Sequence, residues 1–415
     1  MTRSQTAIRD VGVTGIGLVT PAGIGVESNW ERICAALPAA ALDPVLAGLP
    51  VPISCRVPDF DADTLLGRAT AGRLDRVSQL ALVAAREALA DAGLDPNTWD
   101  GARVGVILGN ALGGAAAYEE AHAAVREEGP EWVSPLVMVQ WPINMISGYL
   151  AIQCSALGPN LVVATACASG ATAIGIARQL LQTGACDVVI TGASEAPLTR
   201  TPMAAYSQMR ALSERVAEPS TASRPFDVDR DGFVAAEGAA VLILERVSGA
   251  IARGARLHAR VSGYGASADG HHASAPDPTG AGVERAIRAA VSDAGLTLDD
   301  VDHVNAHGTS TQLNDLTEGR VIRRLFRGGP AVTSTKGVTG HALGAAGAIE
   351  AAYTVLSVER GTIPPTANLD KLDPEIDVDL VVDRPRAHRI TGIRSATSHS
   401  FGFGGQNAVL VITPA

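Results

Sequence analysis

The apolar and polar positions of this chain follow one order twice. Across residues 81–107 an Ala- and Leu-rich helical pattern stops at Asp91-Ala92-Gly93-Leu94, a polar turn follows, and Val104-Gly105-Val106-Ile107-Leu108 reads as a buried strand. Across residues 283–305 the order returns as a helix, Asp293-Ala294-Gly295-Leu296, a polar turn and a strand over 301–304. Each Gly sits where a helix takes a left-handed stop. A second echo pairs Leu161-Val162-Val163-Ala164-Thr165, leading into a small-residue helix over 168–181, with Ala331-Val332-Thr333-Ser334, ahead of a small-residue helix over 341–359. Further strands are predicted over 241–244 and 408–413, and a short, glycine-broken one just after residue 10. Alternating strands and helices predict an α/β class. The duplication divides it into two pseudo-twofold-related halves of packed layers, 1–255 and 256–415, with no low-complexity linker between them.

Composition narrows the classes. Of 415 residues 47% are hydrophobic and 18% charged, enough apolar mass for core-bearing layers and too much for disorder. The net charge of −10 argues against nucleic acid as a partner, because phosphate tracking needs clustered positive charge. Five widely spaced cysteines with no CxxC pair speak against a disulfide framework or a thiolate zinc site and favour a reducing compartment. Arg3, Arg9 and Asp10 precede the first apolar run, which lacks the form of a signal peptide, so a cytoplasmic location is expected. The charge-free stretch 132–177 is interrupted by Pro135, Pro142 and Pro159 and does not read as a membrane span. Its residues are expected to be shielded by protein, in a central layer or a subunit interface, which points to an oligomer. Among the basic residues only Lys336 and Lys371 are lysines, so either one asks for a reason.

Candidate chemistry centres on Thr165-Ala166-Cys167-Ala168-Ser169-Gly170. A cysteine at a strand-to-helix elbow lies among free helix N–H groups, which stabilise a thiolate and an oxyanion on an attached thioester. Placement alone leaves two readings open, a nucleophile and a small buried hydrophobe. Cys34, Cys55, Cys154 and Cys186 lack the elbow. His307, in Asn305-Ala306-His307-Gly308-Thr309-Ser310-Thr311, and His341, in Lys336-Gly337-Val338-Thr339-Gly340-His341, stand at strand ends where they could serve a thiol. His303 and His307 are four apart on a strand, roughly 13 Å, too far for one metal ion. His122, His258, His271, His272 and His388 fall in surface-like patterns. Asp227 to Gly232 begins like a calcium loop but lacks its closing Glu, and neither a P-loop nor a GxGxxG occurs. Ser400-Phe401-Gly402-Phe403-Gly404-Gly405-Gln406-Asn407 reads either as a glycine turn closing over a cavity or as a β-turn with core aromatics.

Taken together, TACASG around Cys167, RPFDVDRDGFVAAE from Arg224, NAHGTST around His307, KGVTGHALGAAGAIEA from Lys336 and FGFGGQN from Phe401 resemble the β-ketoacyl-[acyl carrier protein] synthases, in order and over essentially the whole chain. The resemblance implies the thiolase fold, a five-layered αβαβα sandwich of two similar halves, normally dimeric. It implies that Cys167 holds an acyl chain as a thioester, that His307 and His341 promote decarboxylation of a malonyl thioester, and that Lys336, with Glu350 nearby, holds the network. By the same resemblance the N–H groups of Cys167 and Phe403 match the oxyanion hole, and Phe401 and Phe403 match the gate. Thr309 and Thr311 match the pantetheine contacts, Leu112, Met138 and Trp141 the acyl pocket, and Arg68, Arg73 and Arg210 the carrier-protein surface. No resident cofactor or metal is implied, since 4'-phosphopantetheine arrives on the acyl carrier protein. His399 departs from the family's usual Asn beside the gate, and Gln312 from its Pro. Fatty-acid elongation competes with a type II polyketide or polyene role beside a chain-length-factor-like paralogue, so both a homodimer and a heterodimer fit. A non-catalytic partner subunit is disfavoured by Cys167, and a CoA-dependent thiolase by the pair of His with Lys336.

Overall fold

In the computed structural model, which describes residues 10–388 and 392–415, the first half forms strands β1 (Val11–Thr20), β2 (Val104–Gly109), β3 (Asn160–Val163), β4 (Val188–Glu195) and β5 (Gly238–Arg246). They lie in the order β3-β2-β4-β5-β1. The first three are parallel, and β5 and β1 each run antiparallel to the preceding neighbour. The second half forms β6 (Ala259–Ala268), β7 (His303–Asn305), β8 (Ala331–Thr333), β9 (Ala396–Gly402) and β10 (Gln406–Thr413), ordered β8-β7-β9-β10-β6 with the same sequence of directions. The edges of β1 and β6 meet through Gly12–Arg260 and Val13–Ala259.

Seven helices of the fold matter for the site: α1 (Arg76–Ala92), α2 (Ala115–Glu127), α3 (Met145–Gln153), α4 (Ser169–Gln182), α5 (Ala281–Asp293), α6 (Gln312–Leu325) and α7 (Ala346–Arg360). Helices α1 and α3 cover the outside of the first sheet, α5 and α6 belong to the outside of the second, and α4 and α7 lie between the sheets. This is the αβαβα order expected from the resemblance. With both faces covered, β2 and β5 are apolar through nearly their whole length rather than alternating.

Helix α1 shows how the local sequence dictates its element. Asp75 caps it by accepting from the Val77 N–H, and Val77, Leu80, Ala81, Ala84 and Ala88 are buried at helical spacing. Each fully buried Val or Leu contributes about 1.5–3 kcal/mol. The predicted stops hold, with Gly93 and Gly295 at φ 63 and 69. In the central layer a Cβ on Gly170 of α4 would lie 2.5 Å from the Ala348 nitrogen, and one on Gly347 of α7 would lie 2.8 Å from the Ala171 nitrogen. The two helices therefore touch backbone to backbone, and the small-residue pattern of both is the condition for that contact.

Three expectations shift. The first strand is ten residues long, its glycines marked only by a register change between Val13 and Gly15. The strand expected over 301–304 is His303–Asn305. The helix expected from His341 starts at Ala346, because His341 pairs as a strand with the segment at Ala235, donating its N–H to Val234 and accepting from Ala236. Arg3 and Arg9, on which the expected cytoplasmic location partly rests, lie outside the described residues. Among the described residues no helix is long and apolar enough to cross a membrane.

Candidate active site

Cys167 stands where β3 turns into α4. Ala166 takes a left-handed φ of 48, and the Ser169 hydroxyl braces the turn by accepting from the Thr165 N–H at 2.9 Å and donating to the Ala166 carbonyl at 2.7 Å. Backbone held in that region costs of order 1–3 kcal/mol and persists where its surroundings fix it. The loop after β9 closes over the elbow. A Cβ on Gly402 would lie 2.8 Å from the Thr165 oxygen and 3.0 Å from the Cys167 nitrogen, so only glycine fits, and the Phe403 N–H faces the Cys167 sulfur and favours its thiolate.

The second half brings the nitrogen groups. His341 Nε2 is 3.1 Å from Cys167 Sγ, and the His307 ring stands 5.3 Å from the His341 ring, nearly perpendicular. The loop carrying His307 is fastened to Glu318 of α6, which accepts from the His307 N–H at 2.9 Å and the Gly308 N–H at 2.8 Å. Lys336 Nζ donates to the His307 carbonyl at 2.5 Å, lies 3.5 Å from His307 Nδ1 and pairs with Glu350 of α7. The lysine that its composition singled out is thus buried in the centre of the site.

Burial and charge set the protonation states. Burial, then the positive charge of Lys336, pushes both His307 and His341 well below the ordinary imidazole range, so both are neutral at neutral pH. Burial pushes the Cys167 thiol up to about 12, against the pull of Lys336 and the Phe403 N–H. Burial also raises Glu350 to about 7 despite its Lys336 partner. Two neutral imidazoles and a buried sulfur suit hydrogen-bond donation and thioester exchange in a dry site.

These groups face a cavity of about 490 Å³, lined by Cys167, His307, His341, Phe401, Phe403 and the two threonines Thr309 and Thr311 among others. The threonine hydroxyls lie 2.9 Å apart. Arg210, exposed and at a left-handed φ of 54, lines the cavity as well. Arg68 and Arg73 are exposed but do not line it. Leu112, Met138 and Trp141 do not line the cavity of the single chain, whereas the resemblance places Leu112 at the floor of the acyl pocket and the segment from Met138 to Trp141 as reaching in from a second subunit. Leu112 is half-buried against the core, and its neighbour Ala111 reaches the cavity instead. Met138 and Trp141 are 63% and 41% exposed, beside exposed Trp132, Leu136 and Ile143, so part of the charge-free stretch is uncovered in the single chain rather than shielded.

His399, expected as a supporting residue beside the gate, stands with its ring 5.7 Å from that of Phe401. It is fully buried, with Nδ1 3.1 Å from Glu318 and Nε2 3.1 Å from the Thr397 hydroxyl, and so braces the carboxylate that holds the His307 loop. His303 is buried with Nδ1 on the Ala331 carbonyl at 2.9 Å. Cys167, His307 and His341 do place three ligand atoms within 4.8 Å of one another, the one such group among the described residues. The charge of Lys336 beside His307 opposes a metal ion there, so the donor set does not fit one.

Sequence reasoning missed Glu318 and Glu195. Glu195, buried at the end of β4, accepts from the Ala111 N–H at 2.8 Å and from Asn110 Nδ2 at 3.0 Å, and burial raises it to about 7. A carboxylate ending an otherwise uncharged strand was the available signal for Glu195. Nothing local marks Glu318, which lies among ordinary charged helix positions.

A doubled αβαβα sandwich with a cysteine elbow in one half and a His-His-Lys group in the other is the architecture of the thiolase-fold condensing enzymes. Residues 8–250 match the family described as Beta-ketoacyl synthase, N-terminal domain, and residues 258–370 match its C-terminal domain. The chain belongs to the β-ketoacyl synthase family. It is 41% identical over 405 residues to a 3-oxoacyl-[acyl-carrier-protein] synthase 2 of Synechocystis, covering 96% of each chain. It is 41% identical over 408 residues to the protein of the same name from Staphylococcus aureus, covering 96% of this chain and 99% of that one. Among solved structures, a ketosynthase of a type II polyketide system, in complex with its acyl carrier protein and bound to a hexaketide, superposes with a TM-score of 0.91 at 31% identity, over 98% of this chain and 99% of that one. The ishigamide ketosynthase/chain length factor gives the same score, identity and coverage.

Proposed function

We propose that this chain is a β-ketoacyl-[acyl carrier protein] synthase, catalysing a decarboxylative condensation with Cys167 as nucleophile. The observation that carries this reading is the meeting of His341 Nε2 with Cys167 Sγ at 3.1 Å beneath the Phe403 N–H. In the first transfer Cys167 sulfur bonds to the acyl carbon, the bond to the pantetheine sulfur breaks, and the thiol proton passes to the departing pantetheine. The Cys167 and Phe403 N–H groups receive the oxyanion of that step. A malonyl thioester then loses carbon dioxide. The electron pair of its broken C–C bond enters an enolate whose oxygen accepts hydrogen bonds from His307 and His341. The enolate carbon attacks the acyl carbon, and Cys167 leaves as thiolate.

Lys336 and Glu350 set charge around this site, Glu318 with His399 fixes the His307 loop, and Thr309 and Thr311 hold the pantetheine arm. No resident cofactor or metal takes part. The division of the chain into halves at 255/256 falls just ahead of β6, so the nucleophile belongs to one half and the His-His-Lys group to the other. An acidic carrier protein docks on a surface that includes Arg210, Arg68 and Arg73, and the enzyme acts in the cytoplasm. The exposed apolar segment bearing Met138 and Trp141 favours a second subunit over it, either another copy or a chain-length-factor-like paralogue of a type II polyketide system. Co-purification with a second subunit decides between these two.

The test of the central reading is Cys167→Ala. Mass spectrometry with an acyl-carrier donor gives one acylated peptide, containing Cys167, in the wild type and none in the variant, with condensation lost by roughly 10⁴-fold or more. Acylation elsewhere, or unaltered condensation, overturns it.

A further inference from the structure

Beside the nucleophile the cavity wall carries a hydroxyl that this chemistry does not use. Tyr206 lies in the helix Arg200–Gln208, and its ring packs edge-on against Phe233 at 5.6 Å. Phe233 packs edge-on against His341 at 5.3 Å, so a run of three rings leads from the imidazole facing Cys167 to the phenol. Tyr206 lines the cavity, and the described residues give its hydroxyl no hydrogen-bond partner. Burial raises the phenol above its usual range and the charges of Cys167 and Glu195 act in the same sense, so it remains an O–H donor on the side of the cavity where those groups lie. The same cavity is also lined by Ala111, Ala166, Phe233 and Leu343, whose side chains are carbon only.

Such a hydroxyl discriminates between acyl chains. Covered by methylenes it gives up water and gains nothing, a cost of about 1–3 kcal/mol, whereas opposite a chain oxygen its hydrogen bond is made. A site that hydrogen-bonds a substrate oxygen rejects the analogue lacking it far more strongly than an apolar pocket rejects one methylene.

We propose that Tyr206 is a specificity-determining residue, selecting acyl chains that bear a keto or hydroxyl oxygen over fully reduced chains of equal length for transfer to Cys167. The proposal rests on the ketosynthase reading above and names its acyl substrate class as partly oxygenated chains.

The test compares loading of Cys167, followed by mass spectrometry, from carrier-protein thioesters that are identical except for one oxo group placed at successive carbons, with the saturated chain as reference. In the wild type at least one oxo chain loads about tenfold faster than the saturated one, and Tyr206→Phe, which keeps the edge contact with Phe233, brings that ratio to within about twofold of unity. A wild type with no preference at any position overturns the proposal without recourse to the variant. So does an equal ratio in both enzymes. Either result obtained with chains that do load Cys167 leaves the ketosynthase reading standing, whereas failure of every chain to load Cys167 removes both.

Discussion

The two halves carry the same strand order and place different equipment at the equivalent turn. In the first half β3 passes into α4 through residues 164–168, a short elbow without charge that presents one sulfur. In the second half β8 passes into α7 through residues 334–345, a detour long enough to hold Lys336, to bend back through Gly340 and to pair His341 with the segment at Ala235. The duplicated scaffold fixes where the two turns meet, and the lengths of the turns decide what each can deliver. One charge then acts on both. Lys336 lowers the thiol of the first half and also lowers the imidazoles of the second, favouring thiolate and neutral His together.

Removing that charge is the most severe way to break the asymmetry. Lys336→Ala leaves Glu350 in the core without its cation, and stability is expected to fall on the order of 3 kcal/mol, with condensation lost as well. Lys336→Met combined with Glu350→Leu takes out both charges at similar volume and should recover most of the stability while activity stays absent. Denaturant unfolding beside a condensation assay reads both effects. Equal instability of the single and double variants would show that packing around Lys336, rather than the paired charges, matters.

A smaller effect separates the halves by step. His307→Ala and His341→Ala each remove a donor to the enolate, so carbon dioxide release from malonyl carrier protein should drop roughly 10²- to 10³-fold while Cys167 still accepts an acyl chain. Because burial and Lys336 hold both imidazoles neutral, wild-type decarboxylation should show no rise as pH falls through the ordinary His range. Undiminished release in either variant, or a rate that follows imidazolium formation near pH 6.5, contradicts the donor roles.

The contrast between halves also explains what the sequence could convey. The repeated helix, glycine stop and strand were legible because burial on both faces writes itself as continuous apolar runs, and Cys167, His307, His341 and Lys336 were legible as motifs. Contacts between distant segments were not. His399 was legible as a neighbour of the gate from its place before Ser400-Phe401, but its partner was not: strand alternation turns it with Phe401 toward the His307 side, where Glu318 takes it up. Met138 and Trp141 are the opposite case, since the sequence reading sets them against a second subunit and the single chain shows only that they are exposed.

His258 is the clearest correction and supplies the mildest test. Its surroundings in the sequence look like surface, yet it is buried where the halves join, with Nε2 2.9 Å from Asp91 of α1 and Nδ1 3.0 Å from Glu359 of α7, and Arg256 pairs with the same Glu359. Burial alone would lower this imidazole, but the two carboxylates outweigh it and raise it to about 9. A group whose folded value lies above its unfolded value near 6.5 stabilises fully below that unfolded value, and the contribution disappears as pH rises through about 9. Asp91 and Glu359 are both depressed, so their share is lost instead at acid pH, as they protonate. His258→Gln keeps a neutral hydrogen-bonding group there and should cost on the order of 2 kcal/mol at pH 6, after screening by the partly open site, with the difference from wild type vanishing by about pH 10. Thermal unfolding of both proteins across that range measures it. A gap between the two that stays constant with pH would mean that His258 joins the halves by shape alone, and that the charge between Asp91 and Glu359 contributes nothing to holding them together.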